Sequence, residues 1–393
     1  MGSPSLHQPL TPKPLEPATI PLALYVHFPW CVRKCPYCDF NSHTQEGELP
    51  QSEYVTQLIA DLTAELARVP NRPIASVFFG GGTPSLISGV ELGRFMDALQ
   101  RSGRLADDAE ITLEANPGTV ERQYFADYVS AGVNRFSLGV QSFNDQALHQ
   151  LGRIHNGQDV YRAWDLLQSL QVSRINIDIM HGLPEQTPAQ ALDDLRQALA
   201  LDPGHLSWYQ LTIEPNTVFY RQQPTLPSED ALAAIELEGQ ALIAEHGYQQ
   251  YEISAYARPG HDCQHNQIYW TFGDYLGIGA GAHGKITTSD GILRTQRTRM
   301  PEHYLNAIDF GRKSHWIAPH DLPFEYMLNV LRLKAGTPHS AFAARTGLAL
   351  TDLEPVQTEW TRKGLLQAES HALTTQGWWF YNDVAGAFIG SDS

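Results

Sequence analysis

Between Leu22 and about residue 215, short runs rich in β-branched and aromatic residues alternate with longer stretches of helical period. Leu22 to His27, Ala75 to Phe79, Glu110 to Glu114, Asn134 to Leu138, Arg174 to Ile179 and Leu206 to Thr212 read as strands. Between the first two, Val55, Leu58, Ile59, Leu62, Leu66 and Val69 recur at spacings that trace one face of a helix. Six successive β and α units predict an α/β fold with a parallel sheet, a partial (β/α)6 TIM-type barrel open on one side. The runs SVFFGGG and INIDIM show little strict alternation, which predicts strands covered by apolar layers on both faces.

Outside this stretch the pattern changes. Residues 1–21 hold six prolines and few large apolar side chains, a composition that predicts a flexible leader. Residues 216–320 read as an α+β accessory region, with a helix near Glu229 to His246 followed by the Gly- and aromatic-rich YLGIGAGAHG. From residue 321 to 393, helical runs precede GLLQAESHALTTQGWWFYNDVAGAF, whose two β-like runs around a polar turn predict a winged-helix-like element. Such modules often bind DNA, yet five Lys and Arg against eight Asp and Glu make this one acidic.

Composition narrows the class. The chain carries 27 Lys and Arg against 43 Asp and Glu, a net charge of −16 that repels a phosphate backbone and argues against nucleic acid as a partner. With 42% hydrophobic residues and no apolar run near membrane-spanning length, it reads as soluble and globular. There is no signal-peptide pattern, and four cysteines are too few for a disulfide scaffold, so the expected location is the reducing cytoplasm. Thiols there stay free for metals.

Three of the four cysteines fall in CVRKCPYC, at Cys31, Cys35 and Cys38, directly after the first strand. A structural zinc site wants four protein ligands, and the remaining cysteine, Cys263, is more than two hundred residues away. A 4Fe-4S cluster held by three cysteines leaves one iron open to an outside ligand. The Gly-rich FFGGGTP follows the second strand, where glycine lets backbone groups approach a ligand closely, although alone such a run is more often a tight loop. Glu114, Gln141 and Asp178 end or follow strands three, four and five, the positions from which barrels build their sites. This C-x-x-x-C-x-x-C spacing resembles that of the radical S-adenosylmethionine (SAM) superfamily, in which the open iron chelates the methionine end of SAM.

The motifs YVHFPWCVRKCPYCDF, FFGGGTPS, TLEANPG, FSLGVQSF, INIDIMHGLP and YLGIGAGAHG together resemble the oxygen-independent coproporphyrinogen III oxidase family, from about Leu22 to the C-terminus. The resemblance implies that Tyr25 lies beside the cluster-bound SAM and that Gly81, Gly82 and Thr83 meet its methionine end. It gives Glu114 and Arg153 the amino and carboxylate groups, Gln141 and Asp178 the ribose hydroxyls, and Thr212 and His283 the adenosine. One departure bears on the branch: the oxidases carry a further cysteine two residues after the third, where this chain has Phe40. Together with DCQHNQIYW, that resembles the haem chaperone branch, HemW-type proteins that bind haem and pass it to haem-dependent acceptors; acceptors at a membrane are a further expectation. The implied cofactors are a 4Fe-4S cluster, SAM and haem. His265 or Cys263 could ligate haem iron and Tyr269 and Trp270 could stack on a porphyrin, while the plainer alternative is core packing around a hydrogen-bonded histidine. Oxidative decarboxylation of coproporphyrinogen III by a SAM-derived radical is the competing expectation, and Phe40 counts against it.

Overall fold

The computed structural model describes residues 12–118, 122–354 and 356–390. Strands β1 (Leu22–Phe28), β2 (Ile74–Gly81), β3 (Leu105–Ala115), β4 (Arg135–Gln141), β5 (Arg174–His181) and β6 (Gly204–Gln210) lie side by side in chain order, every pair parallel. The connections carry helices α1 (Gln51–Leu66), α2 (Gly89–Arg101), α3 (Phe125–Ser130), α4 (Asp145–Gln150), α5 (Gly157–Ser169) and α6 (Pro188–Leu201). The fold is α/β, as the six-unit pattern predicts. Helix starts are fixed locally: Asn156 with Asp159 caps α5 and Thr187 with Gln190 caps α6, each satisfying otherwise unpaired N–H groups.

Helices cover one face of this sheet with apolar contacts. In α1 the predicted face is buried at Val55, Leu58 and Leu62 and half-buried at Ile59 and Leu66, with Tyr54 buried beside it, each fully buried large apolar side chain contributing about 1.5–3 kcal/mol. The sheet positions beneath are Leu24, Val26, Val77, Leu113, Leu138, Ile175, Ile177 and Ile179. Strand β5 therefore alternates: its isoleucines face the helices, while Asn176 and Asp178, between them, face the opposite side. The expectation of apolar layers on both faces is corrected, because the second face is the polar barrel interior.

The sheet does not end at β1 and β6. After α7 (Val218–Gln222) and α8 (Glu229–Glu245), strands β7 (Gln249–Glu252) and β8 (Ala255–Ala257) extend the β6 edge antiparallel. Following α9 (Gln264–Trp270), β9 (Asp274–Ile278) pairs parallel with β1 on the other edge, and β10 (His283–Thr288), β11 (Gly291–Gln296) and β12 (Lys313–Trp316) continue antiparallel. A single 12-stranded sheet results. Buried Asp274 fastens that edge, accepting from Arg72 at 2.5 Å and Lys285 at 3.0 Å.

A second core forms around Tyr326, Met327, Phe342 and Leu373 near the C-terminus. It holds helices α10 (Leu322–Val330), α11 (His339–Thr346) and α12 (Val356–Arg362), and the two-residue strands Thr337–Pro338 and Ser370–His371, which pair antiparallel. The WWFYNDVAGAF run, read above as β, is helical, with a 3-10 turn over Gly377–Phe380 and α13 over Tyr381–Gly386. Its buried Val384, Ala385 and Phe388 meet that core at helical spacing. The flexible leader is corrected for residues 12–21: Leu15 joins the second core, and Arg72 donates to the carbonyls of Pro17 and Ile20. The rest of the leader lies outside the described residues. Among the described residues no helix is long and apolar enough to cross a membrane.

Candidate functional site

One cavity of about 470 Å³ opens at the C-terminal ends of β1 to β6. Residues that follow strands at both sides of the six-stranded segment line it, so the sheet is curled around it. Cys31, Cys35 and Cys38 come from the loop after β1, and Gly81, Gly82 and Thr83 from the end of β2 and the turn after it. Glu114, Gln141, Asp178 and Thr212 come from the ends of β3, β4, β5 and β6, and Arg153 from the turn after α4.

The three thiols are free, Cys31 buried and the others half-buried. Burial pushes the Cys31 and Cys38 thiols above their ordinary range, so they stay protonated until a metal displaces the proton. Among the described residues no three His, Cys, Asp or Glu side chains converge on a single-ion site. Cys263, the one other cysteine, is at the opposite end of the barrel, which removes the four-ligand zinc alternative for this loop. The donor set and its spacing around a shared cavity fit a multi-iron cluster rather than one ion.

The glycine turn is wedged against the end of β1. A Cβ on Gly82 would lie 2.5 Å from the Trp30 carbonyl oxygen and 3.0 Å from Cys31 Sγ. Gly81 has φ +117°, and its Cβ would meet the His27 ring at 2.6 Å. Its N–H donates to Glu114 Oε2 at 3.2 Å. Burial, reinforced by Asp178 and opposed by that N–H, pushes the Glu114 carboxyl up to about 8. An uncompensated buried carboxylate of this kind suits a cationic ligand such as an α-ammonium group. Across the cavity, Arg153 donates to the Gly139 carbonyl at 2.8 Å and to Asn116 Oδ1, and its other nitrogen lies 3.7 Å from Cys35 Sγ. Gln141 has φ +69°, an uncommon conformation for a side chain-bearing residue, and is held by Tyr209, whose hydroxyl donates to its Oε1 at 2.8 Å.

Asp178 stands on a hydrogen-bond array that sequence reasoning missed. Ser137 donates to Asp178 Oδ2 at 2.9 Å, and Asn176 Nδ2 donates to Oδ1 at 2.8 Å and to Ser137 at 2.7 Å. Asn176 Oδ1 in turn accepts from His205 Nδ1 at 2.6 Å and from Ser207 at 3.1 Å. Burial pushes the Asp178 carboxyl up, and the donors from Ser137, Asn176 and Ser207 work against that shift. The signal for these residues was the inner-face phase, the alternate positions that share a strand face with Asp178 in β5 and Gln141 in β4, which becomes readable once one polar strand face is assigned to the interior.

Two predicted SAM contacts are not brought to the cavity. Tyr25 lies below the glycine turn, its hydroxyl 2.9 Å from His27 Nδ1, and His283 is exposed at the start of β10. The four haem candidates of HNQIYW and its preceding cysteine lie together, away from this cavity, and His265 Nε2 has no hydrogen-bond partner among the described residues. The motif forms α9, which packs on β1, β2 and β9 at the N-terminal end of the barrel. Buried His265 bonds Ser76 Oγ through Nδ1 at 2.9 Å, and its ring stacks on Phe78 and meets Tyr269 at a tilt. Buried Cys263 donates to Glu110 Oε1 at 3.5 Å, and burial pushes its thiol up to about 12. Tyr269 stacks on Tyr275, and Trp270 lies beneath the Arg332 guanidinium. None of the four lines the cavity, because α9 plugs the barrel base with aromatic packing.

With this geometry in view, the relatives are informative. Residues 25–198 match the family model described as the Radical SAM superfamily, and residues 317–380 match the HemN C-terminal domain. The chain is 49% identical over 372 residues to a protein of Escherichia coli (strain K12) named "Heme chaperone HemW", covering 94% of this chain and 98% of that one. It is 35% identical over 378 residues to the protein of the same name from Bacillus subtilis (strain 168), covering 93% and 98%. It is also 37% identical over 347 residues to the mitochondrial "Radical S-adenosyl methionine domain-containing protein 1" of Mus musculus, covering 85% and 78%. Among solved structures, the coproporphyrinogen III oxidase (HemN) of Escherichia coli superimposes with a TM-score of 0.79 at 23% identity, over 94% of this chain and 90% of that one. That likeness speaks for the fold.

Proposed function

The chain belongs to the HemW haem chaperone family of the radical SAM superfamily, and we propose on that footing that it holds a 4Fe-4S cluster and SAM, binds haem and passes it to acceptor proteins. The observation that carries the reading is the convergence of Cys31, Cys35 and Cys38 with the glycine turn, Glu114, Arg153 and Asp178 on one cavity.

The three thiols would hold the cluster, which when bound supplies an open iron and an electron to SAM. Glu114 and the Gly81 turn would receive the methionine amino group, and Arg153 would face its carboxylate as the cationic partner. Asp178, with its remaining lone pairs free, would accept from ribose hydroxyls, and Gln141, fixed by Tyr209, would stand beside it. Haem and haem-dependent acceptors follow from the family name, and acceptors at a membrane and a cytoplasmic location are proposed with them.

The oxidase reading draws support from the shared fold, and Phe40, in place of the further cysteine, opposes it. Anaerobic incubation with SAM, reductant and coproporphyrinogen III is expected to give no decarboxylated product. For the cluster and SAM, the test is electron paramagnetic resonance of the reduced, reconstituted protein. A cluster signal that changes on adding SAM and is absent after Cys31, Cys35 and Cys38→Ala supports the reading; a SAM-insensitive signal overturns it.

A further inference from the structure

His265 is held from the barrel by two neighbouring strands. Ser76 of β2 and Glu110 of β3 stand side by side in the parallel register, and each takes one part of this residue. Glu110 Oε1 accepts the His265 backbone N–H at 3.1 Å, and Ser76 Oγ meets ring Nδ1 at 2.9 Å. Phe78, two positions along β2 and so on the same face as Ser76, stacks on the ring at a centroid distance of 5.0 Å. Backbone, ring plane and ring rotation are thereby fixed by side chains of β2 and β3, none of which belongs to HNQIYW.

The other ring nitrogen is left over. His265 is 3% exposed, and its Nε2 has no hydrogen-bond partner among the described residues. A buried polar atom in that state calls for a partner. Buried His205, in the same barrel, uses both of its nitrogens, on Asn176 and on Tyr251. Cys263 is differently placed, because its thiol donates to Glu110 Oε1 at 3.5 Å, on a carboxylate that also pairs with Arg135 and Arg174. Asn266, Tyr269 and Trp270 of α9 are half-buried and Gln264 is exposed, which puts solvent along the flank of the helix, at the end of the barrel away from the SAM cavity.

A metal-ligating histidine as a rule donates its second ring N–H to a fixed acceptor, which sets the tautomer and the orientation of the ring. Iron on Nε2 requires the proton on Nδ1, and Ser76 Oγ already stands there. We propose that Ser76 is the positioning residue of the haem ligand: it accepts the Nδ1–H of His265, leaves Nε2 without a proton for the haem iron and raises the basicity of the imidazole. This rests on the haem-binding reading above, with His265 as the ligand.

The test is titration of the anaerobically reconstituted full chain with ferric iron protoporphyrin IX, followed by a redox titration of the bound haem at saturation. Ser76→Ala is expected to weaken binding roughly tenfold to a hundredfold. It is also expected to move the haem midpoint potential positive, because an imidazole without its acceptor donates less to ferric iron. Thr112→Ala, buried on the same face of β3 as Glu110, is the control and is expected to bind haem as the wild type does. The SAM-sensitive cluster signal is expected in both variants, since the cavity lies at the other end of the barrel. Wild-type affinity and potential in Ser76→Ala overturn the proposal. An affinity loss with an unmoved potential, or one matched by Thr112→Ala, makes Ser76 a packing residue and overturns it as well. Haem held equally well after His265→Ala removes the ligand and the proposal with it, whereas a wild-type protein that binds no haem defeats the haem-binding reading itself.

Discussion

Asn176 donates to Asp178 Oδ1 at 2.8 Å while its own carbonyl oxygen takes a hydrogen bond from His205 at 2.6 Å. The carboxylate can only accept, so Asn176 must turn its NH2 toward Asp178. Its oxygen then faces His205 and requires the proton on Nδ1. His205 Nε2 is left to accept from the Tyr251 hydroxyl at 2.8 Å, and that oxygen takes the Cys263 N–H at 3.3 Å. One direction of donors thus runs from the barrel base up to Asp178.

Breaking the array should therefore be felt at the proposed ribose site. Asn176→Leu strips a buried carboxylate of a donor, a loss of about 1–3 kcal/mol, so SAM affinity should fall roughly tenfold to a hundredfold. Equilibrium dialysis with labelled SAM checks this, and an unchanged dissociation constant would count against Asp178 as a ribose ligand.

Gly82→Ala should cost cluster content. The added methyl would press on the Trp30 carbonyl at 2.5 Å and on Cys31 Sγ, so the cysteine loop has to shift. Gly93→Ala, which meets nothing within 4 Å, serves as the control. Iron and sulfide analysis after reconstitution should show a clear deficit for the first variant and none for the second.

Stability should fall in mild acid. Burial lowers His181 to about 4, its ring packed on Trp208, and His27 and His155 are lowered likewise. The unfolded chain, with histidines near ~6.5, binds more protons than the folded one between these values. The stabilisation is present above ~6.5 and is lost as pH falls toward 4. Urea unfolding of His181→Phe should show a shallower dependence near pH 5, by up to about 1.4 kcal/mol per pH unit.

Arg297 should prove a structural anchor. It is fully buried against Asp61 at 2.6 Å and Glu65 at 2.9 Å, and Asp61 also receives the Gly279 N–H and the Tyr304 hydroxyl. Arg297→Met leaves buried Asp61 without its cation, while Glu65 keeps Arg68 at 3.0 Å and Arg312 at 3.5 Å, a loss of about 3–5 kcal/mol. A much lower urea midpoint is expected, and a midpoint within error of wild type would contradict this role.

Much of this was legible in the chain. The six strands, the α1 face and the cysteine loop follow from local spacing, which needs no partner to read. The polar strand ends at Glu114, Gln141 and Asp178 were found because barrels build sites there. What escaped depended on distant pairing: β9 beside β1, β7 and β8 beside β6, and the inner-face phase that sets Asn176 under Asp178. The role of His265 was not legible for the same reason, since a histidine among aromatics looks alike on a ligand site and in a plug.

The most direct test of the account is a haem titration of the anaerobically reconstituted protein followed by gel filtration and mixing with a haem-free acceptor. The account predicts close to one haem retained per chain and its movement to the acceptor. Haem that separates from the protein on the column, together with turnover of coproporphyrinogen III, would contradict it.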